Sequence, residues 1–274
     1  MFTIPQLSRA AALLLLALGD ISSAAKPSPG CGKAAGIAAG NHTLTTPEAY
    51  DNNHPYRLIF TLHAMGGNPT LVANGEGGYL PWYGLPALVT DSVGAIYVNP
   101  NGLDRGWANR GGEDVTLMLD ILKTVKESLC IDEDLVFSVG FSYGASMSTA
   151  LACSAAKQFR AISAQSGGLM SGCAGGDDPI AFYGQHGVDG DLNITAARGI
   201  RDRFIKNNGC TQEVFTPPPI GSGIHTKVEY KGCKEGYPVT WLEYDGGHTP
   251  QPRDKGANAT YSAVETWKFF SQFK

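Results

Sequence analysis

The stretch Gly140-Phe141-Ser142-Tyr143-Gly144 constrains this chain more than any other. Strand-forming residues precede it (Leu135, Val136, Phe137, Val139), and small helix-compatible ones follow (Ala145, Ser146, Met147, Ala150, Leu151, Ala152). Strand, sharp turn and helix in that order lift a serine hydroxyl out of the end of a sheet, where it can serve as a nucleophile. A serine at the tip of such a turn is strained, and a Cβ at position 140 or 144 would run into strand or helix, so glycine stands at both. With 35 glycines in 274 residues, a bare Gly-x-Ser-x-Gly arises by chance in about one such chain in four. The flanks therefore carry the argument.

The rest of the chain alternates strand and helix patterns around that turn. Residues 56–63 form a core strand that empties into Ala64-Met65-Gly66-Gly67, a loop whose glycines let backbone N–H groups approach a ligand. Residues 94–99 form a second strand, and apolar residues at helical spacing from Val115 to Leu129 form a helix starting near Glu113. Its first-turn carboxylates, Glu113 and Asp114, complement the helix dipole and are not read as catalytic acids. Strands follow at 161–166 and 179–185, a helix at 195–208, a strand at 239–244 and a closing helix at 259–273 with Val264, Trp267 and Phe270 turned inward. The glycine-rich connection 167–178 is too short for a helical lid, which favours an open site and a bulky substrate.

An acidic turn, His186-Gly187-Val188-Asp189-Gly190-Asp191, comes two strands after the serine, and Asp245-Gly246-Gly247-His248 comes one strand later. The order Ser, Asp, His is that of the α/β-hydrolase fold, in which active groups gather at the C-terminal ends of parallel strands. A serine hydroxyl needs an imidazole to take its proton, and the imidazole needs a carboxylate to hold its tautomer. Ser142, His248 and Asp189 fit these roles, with Asp191 the rival acid. The N–H groups of Tyr143 and of the Ala64-Met65 turn are placed to stabilise an oxyanion. Trp82, Tyr83, Trp107 and Asn109 are candidates for lining a substrate cleft. His63 reads as a histidine packed at a strand end. The chemistry requires neither a metal nor an organic cofactor.

Composition excludes other classes. The formal charge of −4 offers no basic face to nucleic acid or anionic membrane. Arg9, the apolar run from Ala10 to Leu18 and the small residues Ser22 to Ala25 read as a secretory signal, residues 1–25, too short for the roughly 20 apolar residues of a membrane span. Residues 26–274 then form a single catalytic domain of the size one core can support, expected to be a monomer. Six cysteines in an exported chain favour three disulfides, and Cys210 with Cys233, bracketing a Pro-rich insertion, is the expected pair. Asn41, Asn193 and Asn258 stand in glycosylation acceptor triplets.

Taken together, Cys31-Gly32-Lys33, Trp82-Tyr83-Gly84-Leu85, Pro100-Asn101-Gly102-Leu103, Gly106-Trp107-Ala108-Asn109 with Gly112-Glu113-Asp114, the serine pentapeptide, Phe159-Arg160-Ala161 and His186-Gly187 resemble the secreted fungal feruloyl esterases of the type C group. These are relatives of polyhydroxybutyrate-depolymerase-like and acetylxylan esterases. The resemblance spans nearly the whole mature chain. It implies a serine esterase that releases ferulic and related hydroxycinnamic acids from feruloylated plant cell-wall polysaccharide. Acetylxylan or general carboxylesterase activity is the alternative, and a non-catalytic binding module the remote one. The family pattern His-Gly-x-x-Asp is broken here, with aspartates one place early and one place late. Reading backward from Leu192-Asn193-Ile194 assigns the acid to Asp189.

Overall fold

A computed structural model describes residues 24–36, 40–190 and 192–274. The signal segment lies outside the described residues except for Ala24 and Ala25, and so does Asp191. The strands are β1 (His42–Thr45), β2 (Tyr56–Leu62), β3 (Ala95–Pro100), β4 (Ile131–Phe141), β5 (Ala161–Gln165), β6 (Ala181–Gly187), β7 (His225–Glu229) and β8 (Val239–Tyr244). Between them run the helices α1 (Pro69–Asn74), α2 (Glu113–Ser128), α3 (Tyr143–Ser154) and α4 (Ile194–Asn207), and α5 (Ser262–Ser271) closes the chain.

All eight strands join one sheet in the order β1-β3-β2-β4-β5-β6-β8-β7. The six inner strands run parallel, while β1 and β7 pair antiparallel at the two edges. Parallel strands joined through helices are covered on both faces, so their sequences read as continuous apolar runs. Along β2, Leu58, Phe60 and Leu62 point to the layer containing α2, α3 and α4. Ile59, between them, points to the opposite layer with α1 and α5. This is the α/β-hydrolase fold the serine turn predicts. At the outer edge, Lys227 of β7 holds Glu265 of α5 at 2.7 Å and Glu229 at 3.2 Å.

Two expectations change. The closing helix begins at Ser262 rather than 259, and Val264 faces outward while Ala263, Thr266, Phe269 and Phe270 face the sheet. β1 is an unforeseen short edge strand whose residues are all half-buried.

Three disulfides join Cys31 to Cys130, Cys153 to Cys173 and the predicted Cys210 to Cys233, over separations of 99, 20 and 23 residues. Longer closed loops restrict the unfolded chain more. Replacing Cys31 and Cys130 together by serine should therefore cost about 4–5 kcal/mol, against about 3 for Cys210 and Cys233. Urea midpoints of the two double variants check this, and the reverse order would refute it.

Candidate active site

Ser142 stands between β4 and α3 at φ 58° and ψ −117°, a conformation non-glycine residues avoid and one that persists only where the surroundings impose it. Those surroundings are close. A Cβ on Gly140 would lie 2.2 Å from the Gly144 carbonyl, and one on Gly144 would lie 2.3 Å from the Leu62 carbonyl oxygen. Glycine at 144 thus lets the start of α3 rest against the end of β2. The Ser142 N–H donates to the Gln165 carbonyl at 2.9 Å, which ties the turn to β5.

Beneath the turn, the buried Tyr83 hydroxyl donates to the Leu62 carbonyl (2.6 Å) and accepts from the Phe141 N–H (2.8 Å). It braces β2 against β4. Tyr83 is thus structural rather than a cleft residue, and Trp82 packs beside it against Tyr97. Trp107 is fully buried, its indole N–H donating to the His63 carbonyl at 2.7 Å. Asn109 has both ends of its carboxamide engaged, accepting from the Val115 N–H (3.1 Å) and donating to the Ser171 carbonyl (2.9 Å). The four cleft candidates are therefore supports: each large ring has its polar tip or apolar face committed inside the fold, and Asn109 caps the start of α2.

The loop after β2 is held as rigidly. The Ala64 N–H donates to the Tyr79 hydroxyl (2.8 Å), Gly66 N–H to the Arg105 carbonyl (2.7 Å) and Gly67 N–H to the Ala64 carbonyl (3.0 Å). Among the described residues, Met65 is left as the N–H of this loop without an acceptor. The Tyr143 N–H, first in α3, has no intrahelical acceptor either. The oxyanion candidates thus narrow to Met65 and Tyr143, since Ala64 is committed elsewhere.

His63 sets the loop's geometry. Its buried ring donates from Nδ1 to the Ala64 carbonyl (2.8 Å) and accepts at Nε2 from the Gly102 N–H (3.1 Å), a pattern only the neutral imidazole can make. Burial pushes its pKa below the ordinary 6.5, as it does for buried His186, whose Nδ1 bonds the Gly187 carbonyl at 2.8 Å. Between 6.5 and the lowered folded values the unfolded chain binds the extra protons, so these groups withdraw stability as pH falls through that window. The urea midpoint should decline below pH 6.5, with a shallower decline in His63→Gln. Equal slopes in parent and variant would contradict this.

His248 lies beside the serine turn, its ring stacked on Phe141 with centroids 4.5 Å apart. The histidine loop is laced to the acidic turn by backbone bonds, Val188 N–H to Tyr244 (2.9 Å) and Asp189 N–H to Gly246 (3.2 Å). A Cβ on Gly187 would fall 2.4 Å from the Gly246 oxygen, so glycine is required for that approach. Asp189 is exposed. The N-cap of α4 is Asn193, which accepts from Thr195 N–H at 2.8 Å. Asp114 is buried, accepts from the Asn109 N–H (2.7 Å) and has its pKa raised by that burial, a loop anchor rather than an acid catalyst. A groove of about 1060 Å³ bordered by residues 132–135 and 230–238 touches none of these site residues.

A strained serine on a doubly wound parallel sheet, with a histidine stacked on the neighbouring Phe141, has the layout of a hydrolase of the α/β-hydrolase fold. Solved structures share the fold, among them a ferulic acid esterase (TM-score 0.56, 13% identity, 85% of this chain and 91% of that one) and an acetyl xylan esterase from Aspergillus awamori (TM-score 0.53, 13% identity, 87% and 98%). No family profile matches the chain. Curated relatives do: feruloyl esterase D of Neurospora crassa is 48% identical over 95% of both chains, and feruloyl esterase C of Emericella nidulans is 43% identical over 89% of this chain and 90% of that one. The chain belongs to the feruloyl esterase family.

Proposed function

We propose that this protein hydrolyses the esters joining ferulic and related hydroxycinnamic acids to plant cell-wall polysaccharide, acting outside the cell after removal of residues 1–25. The observation that carries the reading is 48% identity to a feruloyl esterase over 95% of both chains, together with the strained serine turn. The Ser142 hydroxyl attacks the ester carbonyl carbon while His248 takes its proton, and a carboxylate of the 189–191 turn, Asp189 by the sequence pattern, orients the imidazole. Negative charge on the former carbonyl oxygen meets the N–H groups of Met65 and Tyr143, each worth about 3 kcal/mol in the transition state. The carbon–oxygen bond to the sugar breaks, and His248 returns the proton to the departing alkoxide. Water, deprotonated by the same imidazole, then attacks the acyl-serine and releases the free acid and Ser142.

Methyl ferulate, caffeate, coumarate and sinapate assayed beside p-nitrophenyl acetate, with Ser142→Ala as blank, test the reading. Turnover of the hydroxycinnamates above that blank is the expected result. Turnover of the acetate alone would favour the acetyl-esterase alternative.

A further inference from the structure

The buried positions of Trp82, Tyr83 and Trp107 leave open what receives the acyl group, and the exposed side chains supply an answer. Eight large apolar residues are exposed among the described ones, and four stand on the loops that flank the serine: Met65 (69% exposed), Leu103 (40%), Leu169 (49%) and Met170 (40%). The loops leave β2, β3 and β5, and in the sheet order β3-β2-β4-β5 they surround the C-terminal end of β4, which carries Ser142.

The loops are fastened to one another. Gly66 N–H donates to the Arg105 carbonyl at 2.7 Å and the Arg105 guanidinium returns to the Gly66 carbonyl, joining the Met65 loop to the Leu103 loop. Asn109 donates to the Ser171 carbonyl at 2.9 Å, joining the Leu103 loop to the segment carrying Leu169 and Met170. Gly168 N–H donates to Ser146 Oγ at 3.0 Å on α3, and the Cys153–Cys173 bond closes the far end of that segment. Tyr143 packs on the Leu103 loop, where a Cβ on Gly106 would sit 3.1 Å from its phenol ring. Single exposed apolar residues need no explanation, but a group gathered around a nucleophile marks a ligand surface.

We propose that Leu103, Leu169 and Met170, with Met65, form the seat of the acyl group and set the preference for a hydroxycinnamoyl over an acetyl ester. This rests on the esterase reading above. A planar hydroxycinnamoyl group extends much farther from the serine than an acetyl group and so offers far more surface to side chains on the surrounding loops. Aliphatic chains and thioether sulfur both pack well on an aromatic ring, and methionine adapts to differing ring substituents. The apolar area removed from water on binding is then larger for the longer acyl group.

The test is the double variant Leu169→Ala/Met170→Ala, with Val264→Ala on α5 as a control away from the site. The double variant should lose about tenfold in kcat/KM for methyl ferulate while p-nitrophenyl acetate stays within about twofold. The milder double variant Leu169→Val/Met170→Leu should keep most of the ferulate activity. An unchanged ferulate-to-acetate ratio overturns the inference, and so does an equal loss on both esters, which would mean the loop had only collapsed. A parent enzyme inactive on hydroxycinnamates would instead overturn the functional reading.

Discussion

Replacing Ser142 by alanine should lower ester turnover by several orders of magnitude and leave the protein folded. The nucleophile, base and acid act as a unit, so loss of the nucleophile removes nearly all that the three achieve together. Folding should survive because the turn depends on Gly140, Gly144 and the Ser142 N–H, none of which the substitution alters. Circular dichroism and a urea titration establish the fold, and a burst-free assay with methyl ferulate measures the loss. Activity within tenfold of the parent would sink the esterase mechanism and favour a binding role for the fold.

The second large effect belongs to the acidic turn. Asp189→Asn and Asp191→Asn should separate sharply, one losing about 10⁴-fold in kcat and the other remaining near the parent, because an amide in place of the acid holds the imidazole in the wrong tautomer. The sequence pattern puts the loss at Asp189. The large loss is therefore expected at Asp189→Asn. A loss confined to Asp191→Asn would move the orienting role to that residue. Small losses in both variants would remove the turn from the mechanism.

The parallel sheet and the serine turn were legible because their signals are local. Strands covered on both faces must be apolar without interruption, and a turn this tight admits only glycine at its flanks. The aromatic residues were not legible in the same way. A tryptophan or tyrosine pattern cannot tell a ring open to ligand from one whose polar tip has found a carbonyl across the fold, as Trp107 finds His63 and Tyr83 finds Leu62. The exposure of Met65, Leu169 and Met170 was hidden for a similar reason, since a loop residue's side chain turns inward or outward as the fold decides. β1 escaped notice because a four-residue edge strand with no fully buried position leaves almost no alternation to detect.

The ammonium of Lys227, set on the outermost strand and drawn to Glu265 and Glu229, also bears on how the protein behaves in a crowd of its own kind. An edge strand offers unpaired amide and carbonyl groups to any passing chain, and a charge there makes that recruitment costly because the lysine would have to shed its hydration against a neighbouring backbone. A lysine so placed guards the sheet against edge-to-edge pairing, and the safeguard sits at the far end of the sheet from the β1 edge.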